Sequence, residues 1–179
     1  GPDLEYDLNL TLNELYTGCT KKMKITKSVV DAASGRSVPL EQIVSIEVKP
    51  GYKKGTKIRF TEHGDEKPGE TPADVVFVVK EKPHPLFERE GDNLIYNTTV
   101  TLVQALTGTT VTVEGLDGKK FRISEKEIIK PGKETMIAGR GMPISKMPGE
   151  FGDLIVRYKV EFPTNLTDAQ KSQIQAALT

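Results

Sequence analysis

Residues Leu4 to Gly18 read LEYDLNLTLNELYTG, and ninety positions later Leu94 to Gly108 read LIYNTTVTLVQALTG. The pairs Leu4/Leu94, Tyr6/Tyr96, Thr11/Thr101, Leu12/Leu102, Thr17/Thr107 and Gly18/Gly108 are identical. IEVKPG at Ile46–Gly51 returns as IIKPG at Ile128–Gly132, followed by GTKIRF from Gly55 and ETMIAG from Glu134 respectively. ADVVFVVK at Ala73–Lys80 returns as GDLIVRYK at Gly152–Lys159. A repeat bounds the architecture before any single motif can, because each copy specifies the same supersecondary unit. Three matched blocks in one order indicate two copies of one module, ending near Pro83 and Pro163.

Each copy reads as β structure. Leu4, Tyr6, Leu8 and Leu10 alternate with Glu5, Asp7 and Asn9, the period of two of a half-buried strand. In Thr20–Thr26, Met23 and Ile25 point one way and Lys22 and Lys24 the other. Val75–Val79 is a near-continuous β-branched and aromatic run, the pattern of a strand covered on both faces. Lys49-Pro50-Gly51, Lys67-Pro68-Gly69 and Lys130-Pro131-Gly132 are turn chemistry, and Asp117-Gly118 predicts a type I′ hairpin between Thr110–Val113 and Lys119–Ile123. Short helical turns are expected at Asn13–Tyr16 and Val103–Leu106. A longer helix ends the chain: Thr167 with Gln170 forms a capping box, Asp168 sits in the first turn, and Ile174, Ala177 and Leu178 share a face. So thin an apolar stripe must pack on its own module or on another chain.

Composition narrows the functional classes. Lys plus Arg and Asp plus Glu number 25 each, so no global field draws the chain to nucleic acid or an anionic membrane. One cysteine, Cys19, excludes a disulfide framework and Cys-rich zinc sites, and two histidines do not complete a ligand set. No cofactor is implied. Reducing, cytoplasmic conditions fit, with nuclear entry left open. No membrane-length apolar run occurs, and Gly1 and Pro2 read as a cloning scar. Gly139 and Gly141 read as a tight turn and not a phosphate loop, since no Lys-Ser/Thr follows. Cys19 reads as an inert thiol.

HPLFEREGDNLIY from His84, Gly139-Arg140-Gly141-Met142-Pro143, the Gly152-Asp153-Leu154 entry to the last strand and the KPG turns together resemble the C-terminal, peptide-binding part of J-domain (DnaJ-like) heat-shock co-chaperones. The resemblance runs from about Leu4 to Leu178. It implies a mainly β protein: two tandem homologous β-barrel or sandwich-like modules with short helices and a C-terminal dimerisation helix. The expected divisions are 1–2 for the scar, 3–83 for module I, 84–163 for module II and 164–179 for the helix. The His-Pro-Asp signature of the J domain is missing, since Leu86 follows His84-Pro85. The zinc-binding repeats of one branch are missing too, with Ser28–Ser37 standing where they would be inserted, so the chain looks like a fragment of the zinc-free class.

The resemblance also carries a site. It places a shallow apolar depression on module I, nominating Tyr6, Leu8, Met23, Ile25 and Phe60, with Lys21 as the cation for the acidic C-terminal tail of the seventy-kilodalton heat-shock chaperone. Lys21 shares a strand face with Met23 and Ile25. Lys22, Lys24 and Lys27 add a diffuse positive field. Met supplies an adaptable surface suited to varied side chains. The implied partners are that chaperone, unfolded client polypeptides and a second copy of the chain, paired through Leu166, Ile174 and Leu178; neither nucleic acid nor membrane is implied. In module II, Tyr96 matches Tyr6 but Thr98 replaces Leu8, which reads as a scaffold with a weaker client patch. The leading reading is a non-enzymatic co-chaperone fragment that holds clients and delivers them to its partner. The alternative is an adaptor and dimerisation module whose grooves are closed core. A hydrolase lacks any acid, base and nucleophile constellation.

Overall fold

The computed structural model describes residues 2–179; Gly1, half of the scar read from the sequence, lies outside the described residues. The first copy comprises β1 (Leu4–Leu10), α1 (Leu12–Thr17), β2 (Cys19–Val30), β3 (Ser37–Val48), β4 (Lys57–Phe60) and β5 (Val75–Glu81). The second comprises β6 (Phe87–Glu90), β7 (Asn93–Thr101), α2 (Leu102–Thr107), β8 (Thr109–Glu114), β9 (Lys120–Glu125), β10 (Glu134–Ile137) and β11 (Leu154–Glu161). Helix α3 (Asp168–Leu178) follows.

Both copies use one plan. β5 lies between β1, parallel to it, and β4, antiparallel; β11 lies in the same way between β7 and β10. An antiparallel hairpin, β2–β3 or β8–β9, forms the second sheet of each module. Leu8 and Phe77 from one sheet meet Ile25, Val44 and Ile46 from the other in the core. Each module is therefore a sandwich of two open sheets, and the barrel alternative does not hold. The central position of β5 explains its composition, since Val75 to Val79 are all buried.

The short helices follow from capping that the sequence reading missed at two of three places. Thr11 accepts from the Glu14 N–H at 3.1 Å while Glu14 Oε1 accepts from the Thr11 N–H at 3.0 Å. Thr101 with Gln104 and Thr167 with Gln170 repeat the reciprocal pair. The signal, T-x-x-E/Q, was present in TLNE and TLVQ.

The β8–β9 hairpin forms, but not through a type I′ turn. Among the described non-glycine residues only Glu62 has positive φ, so Asp117 is not in the left-handed region. The Gly118 N–H donates to the Gly115 carbonyl at 3.0 Å, and the Gly115 N–H to the Lys119 carbonyl at 2.9 Å. Leu116 and Asp117 are thus the turn centre, and Gly118, at φ +80°, supplies the bulge that restores the strand. Asp117 Oδ1 accepts from the Lys119 N–H, which stabilises this longer loop.

One strand breaks the repeat. β6 pairs antiparallel with the outer edge of β7, setting Phe87 opposite Tyr96, with ring centroids 5.7 Å apart. Among the described residues no strand covers the matching edge of β1. The modules also touch. Gly51, at φ +89°, lies so close to Pro143 that any Cβ would meet its carbonyl oxygen, and the Tyr16 and Phe151 rings lie 6.0 Å apart. Helix α3, by contrast, does not pack on its own module: no residue from 161 to 179 is buried.

Candidate functional site

The residues nominated on module I divide into floor and rim. Leu8 and Ile25 are each 1% exposed and belong to the core, so in this state neither offers surface to a ligand. Tyr6, Met23 and Phe60 are half-buried and pack against that core, joined by Ile58. Leu8 and Ile25 show the same twofold alternation as their neighbours; burial separates them because they face the interior of the sandwich.

Phe77 organises the rim and was missed. It stands opposite Tyr6 in the β1–β5 register and opposite Ile58 in β4–β5. Tyr6 stacks on it at 5.7 Å and 28°, and Phe60 meets it edge-on at 5.7 Å and 90°. Such aromatic pairs contribute about 0.5–1.5 kcal/mol beyond burial. The only sequence signal was an aromatic residue inside a valine run, which gives no register.

Between β1 and β2 lies an open backbone edge. The two strands belong to different sheets, and among the described residues no ladder joins them. In an antiparallel hairpin, alternate residues turn both backbone groups away from the partner. On β2 these are the even residues, as Ser28 and Val30 show: their N–H groups donate to Asp65 Oδ1 at 2.8 Å and Glu66 Oε1 at 3.2 Å. The Glu66 N–H donates in turn to the Ser28 carbonyl at 2.7 Å. The loop before β5 thus closes the distal edge, and the Tyr6 hydroxyl reaches the Thr26 carbonyl at 3.4 Å. Lys22 and Lys24 leave their backbone groups facing the gap.

Side-chain charge is arranged by the same parity. Lys21 and Lys27 share the face of Met23 and Ile25 and are half-buried. Lys22 and Lys24 turn to the solvent face, where Lys24 pairs with Glu41 at 2.9 Å. The diffuse cationic field expected from Lys22, Lys24 and Lys27 is therefore split, and the membership of Lys27 in the groove face was legible in its odd number. Lys21 is ion-paired with Glu14 of α1. Burial pushes the Glu14 carboxyl up, but its bonds to Lys21 and to the Thr11 backbone hold it below the usual range. The bond to Glu14 raises Lys21. Burial, reinforced by Glu14, raises the Cys19 thiol and keeps it protonated.

Module II differs at the matching place: β6 and Phe87 occupy the β7 edge beside Tyr96. Its enclosed polar group is instead structural: Glu125 pairs with Lys133 at 2.7 Å and accepts from Thr135 at 3.1 Å. Burial and the Glu125 carboxylate push the Tyr158 hydroxyl up to about 12. A cleft of 280 Å³ lies between the modules, walled by Tyr16, Leu116, Phe121, Arg140 and Phe151. The dimerisation candidates Leu166, Ile174 and Leu178 are all exposed, Leu178 at 67%. Among the described residues no group of three or more His, Cys, Asp or Glu could hold a metal.

Fold and site together define a tandem β-sandwich protein whose first module leaves the β2 backbone edge without a strand partner beside an apolar rim, among the described residues. A family model described as the DnaJ C terminal domain matches residues 4–163, and the chain belongs to that family. It is 48% identical over 169 residues to Protein psi1 of Schizosaccharomyces pombe, covering 94% of this chain and 44% of that one. It is 42% identical over 177 residues to human DnaJ homolog subfamily B member 13, covering 99% and 56%. To Protein SIS1 of Saccharomyces cerevisiae it is 36% identical over 172 residues, covering 96% and 47%. The chain thus spans about half the length of these relatives.

Proposed function

We propose that this chain is the client-binding and partner-docking part of a co-chaperone and acts without catalysis. Its units are module I at 3–83, module II at 84–163 and a pairing helix at 164–179. The observation that carries the reading is the β2 edge: free backbone groups at Lys22 and Lys24, an apolar rim of Tyr6, Met23, Ile58 and Phe60, and Lys21 on the same face. An extended peptide adds to such an edge as a further strand, with alternate side chains entering the rim. An acidic C-terminal tail of the seventy-kilodalton heat-shock chaperone would place its carboxylates on Lys21, and unfolded clients would use the rim alone.

Magnitudes make each site weak. One large apolar side chain contributes about 1.5–3 kcal/mol on full burial, an exposed ion pair about 0–1 kcal/mol, and ordering a flexible peptide offsets much of this. Binding is micromolar or weaker per site. Two chains joined through Leu166, Ile174 and Leu178 would present two edges to one client, and avidity would follow. The exposed apolar stripe of α3 supports pairing with a second copy. No helix among the described residues is long and apolar enough to cross a membrane; the working location of the fragment is the cytoplasm.

The test is a fluorescence titration with a labelled peptide ending in Glu-Glu-Val-Asp, at two salt concentrations, beside Lys21→Ala. Saturable, salt-sensitive binding that the substitution abolishes is expected. A folded chain that binds neither this peptide nor a denatured client leaves the adaptor reading.

A further inference from the structure

The cation of the docking site is already occupied from within. Glu14 Oε1 is held by the Thr11 backbone N–H at 3.0 Å and by the Thr11 hydroxyl at 3.3 Å. Its other oxygen is paired with Lys21 Nζ. The cap by itself does not call for a carboxylate. At the same N3 position α2 carries Gln104 and α3 carries Gln170, and each closes the same reciprocal box, at 3.0 and 2.9 Å. The repeat therefore supplies an internal control: a neutral amide suffices for capping, and the charge of Glu14 has Lys21 as its partner. In module II the position matching Lys21 is Val111, and the capping residue there is uncharged.

We propose that Glu14 is an affinity-setting and specificity-determining residue of the edge site. Its carboxylate neutralises Lys21 in the free protein and has to be displaced, or its repulsion overcome, when an acidic peptide end docks. This rests on the tail-docking reading above. The consequence is selectivity. A peptide with a single carboxylate exchanges one ion pair for another and gains little, whereas a cluster of carboxylates can engage Lys21 and the Lys27 on the same face together. Neutral clients, which use only the apolar rim, are indifferent to Glu14. Because the cap holds Glu14 in place, the competing anion is always present at the site.

The experiment is a double-mutant cycle on the full chain with Glu14→Gln, Lys21→Ala and the pair, titrated with the Glu-Glu-Val-Asp peptide and with an uncharged version ending in an amide. Glu14→Gln should tighten the acidic peptide by about fivefold, the upper range for one exposed ion pair. The gain should vanish in the Lys21→Ala background, with no change for the uncharged peptide. Thermal unfolding checks that the cap survives. As a second readout in the unsubstituted chain, the Glu14 carboxyl, followed by NMR, should titrate closer to its ordinary range once peptide is bound. Wild-type binding through Lys21 that Glu14→Gln leaves unchanged or weakens overturns the inference, since Glu14 would then be inert or would position Lys21. Wild-type binding insensitive to Lys21→Ala, or none, overturns the docking reading and the inference with it.

Discussion

Arg89 on β6 donates from Nη2 to the Gly51 carbonyl at 2.9 Å, fastening the second module to the Lys49-Pro50-Gly51 turn of the first. The same guanidinium donates to the Tyr52 carbonyl at 2.7 Å, to Glu81 Oε1 at 3.2 Å and, through Nε, to the Gly91 carbonyl at 2.8 Å. Its side chain is 3% exposed. Arg89→Met keeps the stem but strands three carbonyls and the Glu81 carboxylate, at a cost of about 3–5 kcal/mol. Differential scanning calorimetry should show the midpoint falling by about 10 °C. Arg89→Lys should recover little, because an ammonium lacks the planar fork. A midpoint within a degree or two of wild type would show that the modules are held by other contacts.

The aromatic rim and its floor should separate stability from binding. Phe77 is fully buried beneath Tyr6 and Phe60, so Phe77→Ala is expected to cost about 3–5 kcal/mol in chemical denaturation. Met23 is half-buried, and Met23→Ala should cost about 1 kcal/mol or less. Suppression of aggregation of a denatured client should nevertheless fall markedly for Met23→Ala. Undiminished protection by that folded variant would remove β2 from the client site.

His84 makes the turn into β6 sensitive to acid. Its Nδ1 accepts from the Leu86 N–H at 3.0 Å and the Phe87 N–H at 3.2 Å, which requires the neutral imidazole. Burial holds its pKa below the ordinary value. A depressed folded-state pKa means that this stabilisation is complete above the unfolded value of about 6.5 and is lost as pH falls toward the folded value. Thermal stability should therefore decline from pH 7.5 to 5.5, above the range of the carboxylates. In His84→Asn, whose amide oxygen still accepts but does not titrate, that decline should flatten. An equal slope in both proteins would assign it to other groups.

Removing α3 tests pairing without disturbing either sandwich, since no residue from 161 to 179 is buried. Deletion of Leu166–Thr179 should convert dimers to monomers in sedimentation velocity while the unfolding midpoint of the β modules, measured at low protein concentration, stays nearly constant. An unchanged mass would place the contact elsewhere.

The groove shows where periodicity stops being informative. Tyr6, Leu8, Met23 and Ile25 all lie on inward-facing positions, and parity along the strand identifies them equally well. It does not tell which inward positions are sealed. Leu8 and Ile25 are covered by the opposite sheet, while Tyr6 and Met23 border the unpaired edge, a distinction set by contacts between residues far apart in the chain. Lys21 was found as a cation, but its engagement by Glu14 depends on where the fold sets Glu14 of α1 relative to β2.

The twofold repeat, the alternating strands, the caps at Thr11, Thr101 and Thr167, and the hairpin at Asp117-Gly118 are local, and local sterics and hydrogen bonding write them directly into residue order. That β5 sits between β1 and β4, that β6 closes the edge of β7 while β1 stays open, and that Arg89 bridges to Gly51 follow from long-range pairing. Two copies with nearly the same pattern thus reach different surfaces. An edge is made open or closed by the strand that lies beside it, and the residues of the edge carry no record of that neighbour.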